Sequence, residues 1–385
     1  MKNEPLLIID VWWDSPHTVL RCKRLDGRTI ELKVSDTNPR FWTTREPKTC
    51  PDHPKVISIG QRRYYGTGLH GAVHFRTLKD EKLYEVRVKE PSDIREVRDY
   101  YSPHYSADVP WRTLVRWMHG WKSVIEVDSK LLNTPKISVL NPRQISQARS
   151  ATVSDFSLNL LYYDIETEDS IDWKNAPARI VSIAIFDEST GVHEVATTVP
   201  TPVRQVAKFL SSQLALESVV EHTRSIPPID FDKIIVTNLT HEDPDTNEAA
   251  LLHWLDRRIK SLNPDVIAGQ NILGYDHHYC INRCNRMNAK MLKKHGRPGP
   301  EHTFPDLSIL KSKPSFDTKI AYAEQARGEL VSSSLSHMAT ETLGYGKVPR
   351  TSIVKLMKAD PMMLAVYNIW DNVCAARCMK KLDLL

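Results

Sequence analysis

The stretch LNLLYYDIET, residues 158–167, carries the pattern on which the predicted fold rests. A short apolar run that ends in polar residues predicts a buried strand. Side chains alternate along a strand, so Asp164 and Glu166 point to the same side of the sheet. Carboxylate oxygens favour hard cations such as Mg²⁺ and Mn²⁺, and this pair therefore indicates a candidate metal site.

Two more acidic motifs follow in the same part of the chain. NILGYD, residues 271–276, ends at Asp276, and YNIWD, residues 367–371, places Tyr367 and Asp371 on one helix face. If the fold gathers these acids, they repel one another strongly unless divalent cations lie between them. The predicted metal ligands are Asp164, Glu166, Asp276 and Asp371.

The combination of motifs predicts a two-metal phosphodiesterase site. Two ions roughly 4 Å apart clamp the attacking and leaving oxygens of a phosphodiester, and the Tyr367 hydroxyl is expected to orient the water or the phosphate. Each motif alone has simpler explanations, such as a solvated strand end or, for Asp276, a helix N-terminus whose dipole it complements. For His277 and His278 a helix-start role is favoured over proton transfer, because two-metal sites need no histidine base. The order and placement of the motifs favour the catalytic interpretation.

The composition is that of a globular protein. Of the 385 residues, 41% are apolar and 26% charged, and the length allows two or three domains. No uncharged apolar stretch approaches the roughly 18 residues of a membrane helix, and the N-terminus lacks the pattern of a signal peptide, so a cytoplasmic location is expected. The net charge of +5 permits a nucleic-acid partner without requiring one.

The six cysteines do not indicate a disulfide framework in a chain of this size. Cys280 and Cys284 are four residues apart, and so are Cys374 and Cys378. This spacing favours packing on one helix face over a zinc site, whose ligands usually follow a Cys-x2-Cys spacing.

The first 150 residues are predicted to be mostly strands. Asp26-Gly27 between two apolar runs is a hairpin signal. Ser92 is the predicted N-cap of one helix, and a second helix over residues 111–119 ends at Gly120. The polar segment 141–156 is predicted to link two domains. The predicted strands are 19–24, 28–34, 55–59 and 82–89.

From residue 158 onward, strands and helices alternate. This alternation predicts an α/β layer with a central sheet. The predicted strands are 158–164, 180–186, 234–237 and 266–268. The predicted helices are 248–262, 334–343 and 361–382, the last of which contains Asp371.

The acidic motifs resemble those of family B DNA polymerases of the archaeal and viral kind. YDIET, residues 163–167, matches the first exonuclease motif of that family, residues 271–276 match the second, and residues 367–371 match the third. The likeness is weaker upstream, where NPRFW, residues 38–42, and YSADVPW, residues 105–111, are similar to landmarks of the family's N-terminal domain.

This resemblance implies a fold and an activity. The expected fold is a β-rich N-terminal domain, residues 1–150, followed by an RNase H-like domain, residues 151–385, with a central mixed sheet. The expected activity is that of a DEDDy-type 3′→5′ proofreading exonuclease, in which the four acids hold two Mg²⁺ or Mn²⁺ ions and Tyr367 is the tyrosine. The expected partners are the single-stranded 3′ end of a primer-template and a sliding clamp, in a prokaryotic or viral replication system.

The sequence departs from the family in two ways. Gly274 stands where many members have an asparagine, which affects a substrate contact and not a metal ligand. The polymerase signatures Asp-Thr-Asp and Ser-Leu-Tyr-Pro-Ser are not found, so the chain is expected to be a fragment or one half of a split polymerase whose other half docks non-covalently. Two alternatives stay open, a binding and assembly subunit for a separate polymerase fragment and a stand-alone repair exonuclease.

DNA contacts are predicted at three places in the chain. A basic and aromatic cluster at residues 62–64 is typical of single-strand binding, and a basic segment follows the second acidic motif. A solvated strand or linker explains each of these two segments equally well. Residues of the second motif itself are expected to contact DNA by the resemblance. The predicted contact residues are Asn271, Tyr275, Arg62, Arg63, Tyr64, Lys293 and Lys294.

Overall fold

The computed structural model describes residues 3–61, 81–132, 139–149, 151–295, 303–326, 330–349 and 352–384. The chain divides into two compact units, Met1–Leu158 and Asn159–Leu385. Within those described ranges, no helix combines the length and the apolar character needed to cross a bilayer.

The first unit contains two antiparallel sheets, which confirms its predicted β-rich character. The five-stranded sheet has the order β3-β2-β1-β8-β9, and the four-stranded sheet has the order β5-β6-β4-β7. The strands are β1 (Asn3–Asp14), β2 (His17–Arg24), β3 (Thr29–Val34), β4 (Arg40–Thr43), β5 (Val56–Gly60), β6 (Tyr84–Val88), β7 (His104–Tyr105), β8 (Val124–Asp128) and β9 (Ile145–Gln147). The helices are α1 (Asp93–Val97), α2 (Trp111–His119) and α3 (Ser129–Leu132).

Local sequence signals account for much of this unit. The predicted hairpin is confirmed, since β2 pairs with β3 across a turn in which Gly27 has a φ of +83°. Helix α2 has the predicted bounds and ends at Gly120, which adopts the left-handed conformation typical of a C-cap. Its buried residues Leu114 and Met118 pack into the core of the five-stranded sheet.

One prediction for the first unit is incomplete and another is wrong. Ser92 is the N-cap residue of α1, as predicted, but its backbone angles are helical and its side chain makes no capping hydrogen bond. The segment 141–156, predicted as a polar link, contains strand β9, which pairs with β8. Three residues are too few to display a period in the sequence.

The second unit is built on one six-stranded sheet of order β13-β12-β11-β10-β14-β15. Parallel and antiparallel pairs occur together, which confirms the predicted mixed central sheet. The strands are β10 (Leu160–Thr167), β11 (Ile180–Asp187), β12 (Val192–Thr197), β13 (Ile234–Asn238), β14 (Val266–Gly269) and β15 (Ser315–Asp317). The helices are α4 (Val203–Leu210), α5 (Gln213–Glu217), α6 (Pro244–Leu262), α7 (Asp276–His295), α8 (Ser308–Ser312), α9 (Thr318–Gln325), α10 (Leu335–Leu343), α11 (Ile353–Ala359) and α12 (Pro361–Leu382).

Strand β10 lies inside this sheet and has two different environments. Tyr163 and Ile165 belong to the apolar core that also contains residues of α6 and α7. The alternate residues face the other side, where the Tyr162 hydroxyl donates to Met379 Sδ of α12. Asp164 and Glu166 are therefore directed toward the α12 side of the sheet.

Strand β12 was not predicted, because its sequence VHEVAT places polar residues in the sheet interior. His193 and Glu194 are both buried, and the Arg258 guanidinium of α6 donates to Glu194. Burial lowers the pKa of His193 to about 3, so the ring is neutral. Alternation of apolar and polar residues could not reveal a strand in which both a histidine and a glutamate are buried.

A buried ion pair ties α6 and α7 to the start of β11. Arg283 donates through Nε and Nη2 to the two carboxylate oxygens of Glu248, each at 2.7 Å. Glu248 also accepts from the Ile180 backbone N at 2.9 Å, and Arg283 donates to the carbonyl oxygens of Ala176 and Pro177. Since α7 begins at Asp276, this network fixes the helix that carries the second acidic motif.

Arg283→Leu is expected to destabilise the protein by roughly 3–5 kcal/mol, because it leaves the Glu248 carboxylate buried without its cation. The free energy of unfolding is measured by urea titration. Arg286→Ala, on the exposed face of the same helix, is the control and should change it by no more than about 0.5 kcal/mol. Equal losses in the two variants would contradict a structural role for the pair.

Candidate metal centre

Three predicted ligands meet where β10 and α12 pack together. Asp164 and Glu166 of β10 and Asp371 of α12 each offer a carboxylate oxygen, and these oxygens lie within 4.8 Å of one another. Asp371 is buried, and the other two side chains are half-buried. In the described part of the chain, this is the one group of three or more His, Cys, Asp or Glu side chains with such spacing. We call these three residues the acidic cluster.

Two asparagines set the rotation of α12 about its axis. Asn368 donates to Ser182 Oγ at 2.9 Å, and Asn372 donates to the Ala184 carbonyl at 3.0 Å. Both partners belong to β11, which pairs with β10. Tyr367 and Asp371 precede these asparagines by one residue each, so the same rotation turns them toward the acids of β10.

Asp276, the fourth predicted ligand, is the first residue of α7 and lies beside β10. Its Oδ1 accepts from the Ile165 backbone N at 3.2 Å. It is buried, and burial raises its pKa to about 7, with Asp317 and Asp371 acting in the same direction. Asp276 is not a member of the acidic cluster, but its charge raises the pKa of Asp164.

The acids strongly disfavour one another's ionised forms. Burial raises the pKa of Asp164 well above its ordinary value, and the charges of Asp276, Glu166 and Asp371 raise it further. A divalent cation would reverse this effect, because it favours the ionised form of every carboxylate around it. The donor set, all oxygen, suits Mg²⁺ or Mn²⁺.

Lys347 is a member of the site that the sequence did not reveal. Its ammonium forms an ion pair with Asp371, and its Nζ lies 4.9 Å from the centre of the Tyr367 ring. Burial lowers the pKa of Lys347, but Asp371 and Tyr367 outweigh that effect and hold it above its ordinary value. A lysine in the loop between α10 and α11 matches no motif, so only the fold identifies it.

The site opens into two cavities of about 430 Å³ each. Asp164, Asp371 and Asn271 line one of them, and Tyr367 lines the other, while Lys347 contributes to both. Tyr367 is nearly fully buried, and burial followed by the charge of Asp371 raises its pKa above the ordinary range. The phenol is therefore neutral and able to donate a hydrogen bond.

The predicted DNA-contact residues have varied surroundings. Asn271 Oδ1 accepts from Lys319 Nζ at 3.1 Å, and the Tyr275 hydroxyl donates to the Ser170 carbonyl at 2.5 Å. Lys293 is exposed on α7. Three of the predicted residues and the side chain of a fourth lie outside the described residues: Arg62, Arg63, Tyr64 and Lys294.

His277 follows Asp276 in the first turn of α7 and has both ring nitrogens engaged. Nδ1 lies 2.7 Å from the Tyr163 hydroxyl, and Nε2 lies 2.8 Å from Ser315 Oγ. Burial lowers the pKa of His277 to about 4. These contacts support the structural role that the sequence favoured.

Gly274, the position where the resemblance led us to expect asparagine, has the Asn271 side chain packed over it. A Cβ built there would lie 2.6 Å from Asn271 Oδ1. Asn271 has a left-handed φ of 63°, and Asp317 accepts from the backbone N of Asn271 and of Leu273, each at 3.0 Å. The turn that leads into Asp276 is thus built around the Asn271 side chain.

Comparisons with known proteins identify a family and a similar fold. The sequence model of the family described as DNA polymerase family B, exonuclease domain, matches residues 117–330. The fold is similar to that of the family B DNA polymerase from the hyperthermophilic archaeon Pyrobaculum calidifontis, with a TM-score of 0.58 and 14% identity over 98% of this chain and 46% of that chain. This chain thus spans less than half the length of that polymerase. No curated protein matches the sequence.

Without metal, the protein is expected to lose stability as the pH rises from about 4 to about 7. The folded-state pKa of Asp276, about 7, exceeds that of an unfolded aspartate, so the stabilisation is complete below the unfolded value and is lost as the pH rises through the folded one. A shift of this size corresponds to roughly 4 kcal/mol. The melting temperature in EDTA is the measurement, and Asp276→Asn should flatten its dependence on pH. An unchanged dependence in that variant would argue against the assignment.

Proposed function

This chain belongs to DNA polymerase family B through its exonuclease domain, and we propose that it removes nucleotides one at a time from the 3′ ends of DNA, as a proofreading activity. The observation that carries the proposal is the acidic cluster of Asp164, Glu166 and Asp371 with Asp276 beside it. The family model covers the first two acidic motifs, and Tyr367 and Asp371 lie beyond its last matched residue, so their role rests on the geometry.

The residues of the site fit divalent cations. Carboxylate oxygens within 4.8 Å of one another, in surroundings that raise the pKa of Asp164, form a site that a cation would stabilise. We assign Asp164, Glu166, Asp276 and Asp371 as the residues that would hold two Mg²⁺ or Mn²⁺ ions. When bound, such ions activate water and stabilise the charge that develops on the departing 3′-oxygen.

The other side chains of the site position the substrate. The neutral phenol of Tyr367 donates to the water or to the scissile phosphate, and the Lys347 ammonium beside it attracts the phosphate and holds Asp371 in place. The cavity lined by Asn271 has room for a terminal nucleotide, because pockets for small molecules begin at about 300 Å³. Asn271 contacts the nucleotide in this proposal, and Tyr275 is the second contact residue of the same motif.

The proposal extends to domains and partners. Residues 1–150 form the N-terminal domain and residues 151–385 the exonuclease domain, and the substrate is the frayed 3′ end of a primer-template. The polymerase portion of the same machinery, whether continuous with these residues or a separate chain, supplies DNA synthesis. This fits a fold likeness that covers 46% of an archaeal polymerase. A sliding clamp and the intracellular setting of DNA replication complete the proposed context.

A second candidate function is that of an assembly subunit, because the fold likeness covers 98% of this chain and so includes the unit before the exonuclease domain. In that case the chain would hold template DNA and the polymerase portion, and its nuclease site would contribute little. Fidelity of synthesis by the assembled enzyme separates the two. If Asp164→Ala leaves the error rate unchanged while omission of the chain abolishes synthesis, the assembly function is the correct one.

Asp164→Ala is expected to lower the rate of nucleotide release by roughly a thousandfold or more, because loss of a ligand removes several kcal/mol of charge stabilisation. A 5′-labelled single strand incubated with Mg²⁺ reports both the rate and the direction, since shortening from the 3′ end gives a ladder. Asp306→Ala, which removes an exposed acid of the same unit, is the control. Undiminished release by Asp164→Ala, or release that persists in EDTA, would refute the proposed chemistry.

Tyr367→Phe is expected to reduce the maximal rate by roughly a hundredfold, as the loss of one positioned donor does in other active sites. The ring is retained, so DNA affinity should change little. Rates at saturating substrate separate the two effects. Tyr322→Phe, a hydroxyl removed from α9, is the matched control and should behave as the wild type. A loss that appears in affinity alone would assign Tyr367 to binding.

A further inference from the structure

Trp117 differs from the other tryptophans of the chain in its exposure to solvent. Its side chain is 69% exposed, whereas the remaining eight tryptophans are buried or half-buried. An indole offers a large apolar surface whose burial stabilises a fold. A tryptophan that the fold leaves in water therefore contributes little to the stability of its own unit.

The rest of α2 explains why Trp117 cannot turn inward. Leu114 and Met118 share the buried face, and Gly120 ends the helix one turn later. Trp121, just beyond the end, is itself buried and stacks on His119. The core position near the end of the helix is thus already filled by another indole.

The solvent face of α2 is basic. Arg112 and Arg116 are four residues apart and so lie one above the other on the helix surface. Going around the helix from this pair, Thr113 comes next and Trp117 follows it. No acid occurs in α2, and exposed Lys122 follows it. We call Arg112, Arg116, Trp117 and Lys122 the α2 surface.

The cations of this surface are available for a ligand. Neither guanidinium nor the Lys122 ammonium forms an ion pair or hydrogen bond within the part of the chain that the structure describes. The acid that precedes the helix, Asp108, is bound by Arg98. The surface therefore presents net positive charge beside an uncovered aromatic ring.

We propose that the α2 surface binds single-stranded DNA, with a base stacked on Trp117 and phosphates held by Arg112 and Arg116. A row of cations beside an aromatic ring is the combination by which proteins hold single strands without reading their sequence. An acidic protein surface would pair with the arginines but has no need of the ring, and an apolar partner would avoid the arginines. The surface belongs to the first unit and shares no residue with the acidic cluster of the second, so its test does not depend on the nuclease activity.

The test is the affinity for a 5′-fluorescein oligo-dT of about 12 nucleotides, a length within the site sizes of single-strand binders, measured by anisotropy in EDTA so that nothing is hydrolysed. Trp117→Ala is expected to weaken binding roughly 5- to 150-fold, the range for loss of one stacked base. Trp117→Phe should retain most of the affinity because a ring face remains. Leu214→Ala, an equally exposed apolar residue of the second unit, is the control and should bind as the wild type.

Salt dependence tests the arginines. Arg112→Ala/Arg116→Ala should lower the slope of log K against log salt by about 1.4, since each single-strand phosphate contact contributes about 0.7. Arg204→Ala/Lys208→Ala removes the same charge from the exposed face of α4 and should leave the slope unchanged. Equal slopes in the two double variants would overturn the arginine contacts.

An oligonucleotide of abasic sites isolates the stacking. The wild type and Trp117→Ala should bind it equally, because no base remains to stack. Unchanged affinity of Trp117→Ala for oligo-dT, or an equal loss with the abasic strand, would overturn the proposal. So would a wild type that self-associates in sedimentation velocity through Trp117 while DNA binding is unaffected, because the surface would then be a contact between copies of the chain. Melting curves establish that every variant is folded.

Discussion

Repulsion among the carboxylates around Asp164 is the interaction that the other contacts of the second unit must overcome. Asp164 and Glu166 of β10 and Asp371 of α12 lie within 4.8 Å of one another, and Asp276 adds a fourth charge. Forces elsewhere hold them there. The asparagines of α12 bind β11, and the Glu248–Arg283 pair anchors α7. Lys347 offsets part of the repulsion through Asp371.

The division of labour between these parts follows from charge. The apolar core that contains Tyr163 and Ile165 of β10 stabilises the unit, together with the buried Glu248–Arg283 pair. Repulsion within the acidic cluster destabilises it. Without a cation, ionisation of these acids is unfavourable, since burial and like charge both favour the protonated form. A divalent cation bound to these acids would therefore also stabilise the folded unit.

The sequence was informative where residues with chemical roles lie in strands or helices that a local pattern predicts. The pair Asp164 and Glu166 could be placed on one side of a strand because period two is a property of the backbone. The long helix that carries Asp371 was bounded by Pro361 and an apolar pattern, and it has those bounds. A central sheet followed from alternating elements, and its mixed character followed from the resemblance to a polymerase exonuclease. That resemblance rested on three short motifs, which the family comparison supports in the range it covers.

What the sequence did not reveal depends on contacts between distant residues. Lys347 owes its place to an ion pair with Asp371, and Glu248 owes its burial to Arg283 of another helix. Glu194 of β12 is bound by Arg258 of α6, a contact that no local sequence pattern predicts. In each case the decisive partner is remote in the chain, so composition and periodicity carry no trace of it.

The turn before α7 shows how this chain differs from the relatives it resembles. Asn271 fills the space above Gly274, and Lys319 holds its side-chain oxygen. A side chain at position 274 would therefore require the Asn271 side chain to move, and that movement would disturb its contact with Lys319 in the turn that leads into Asp276.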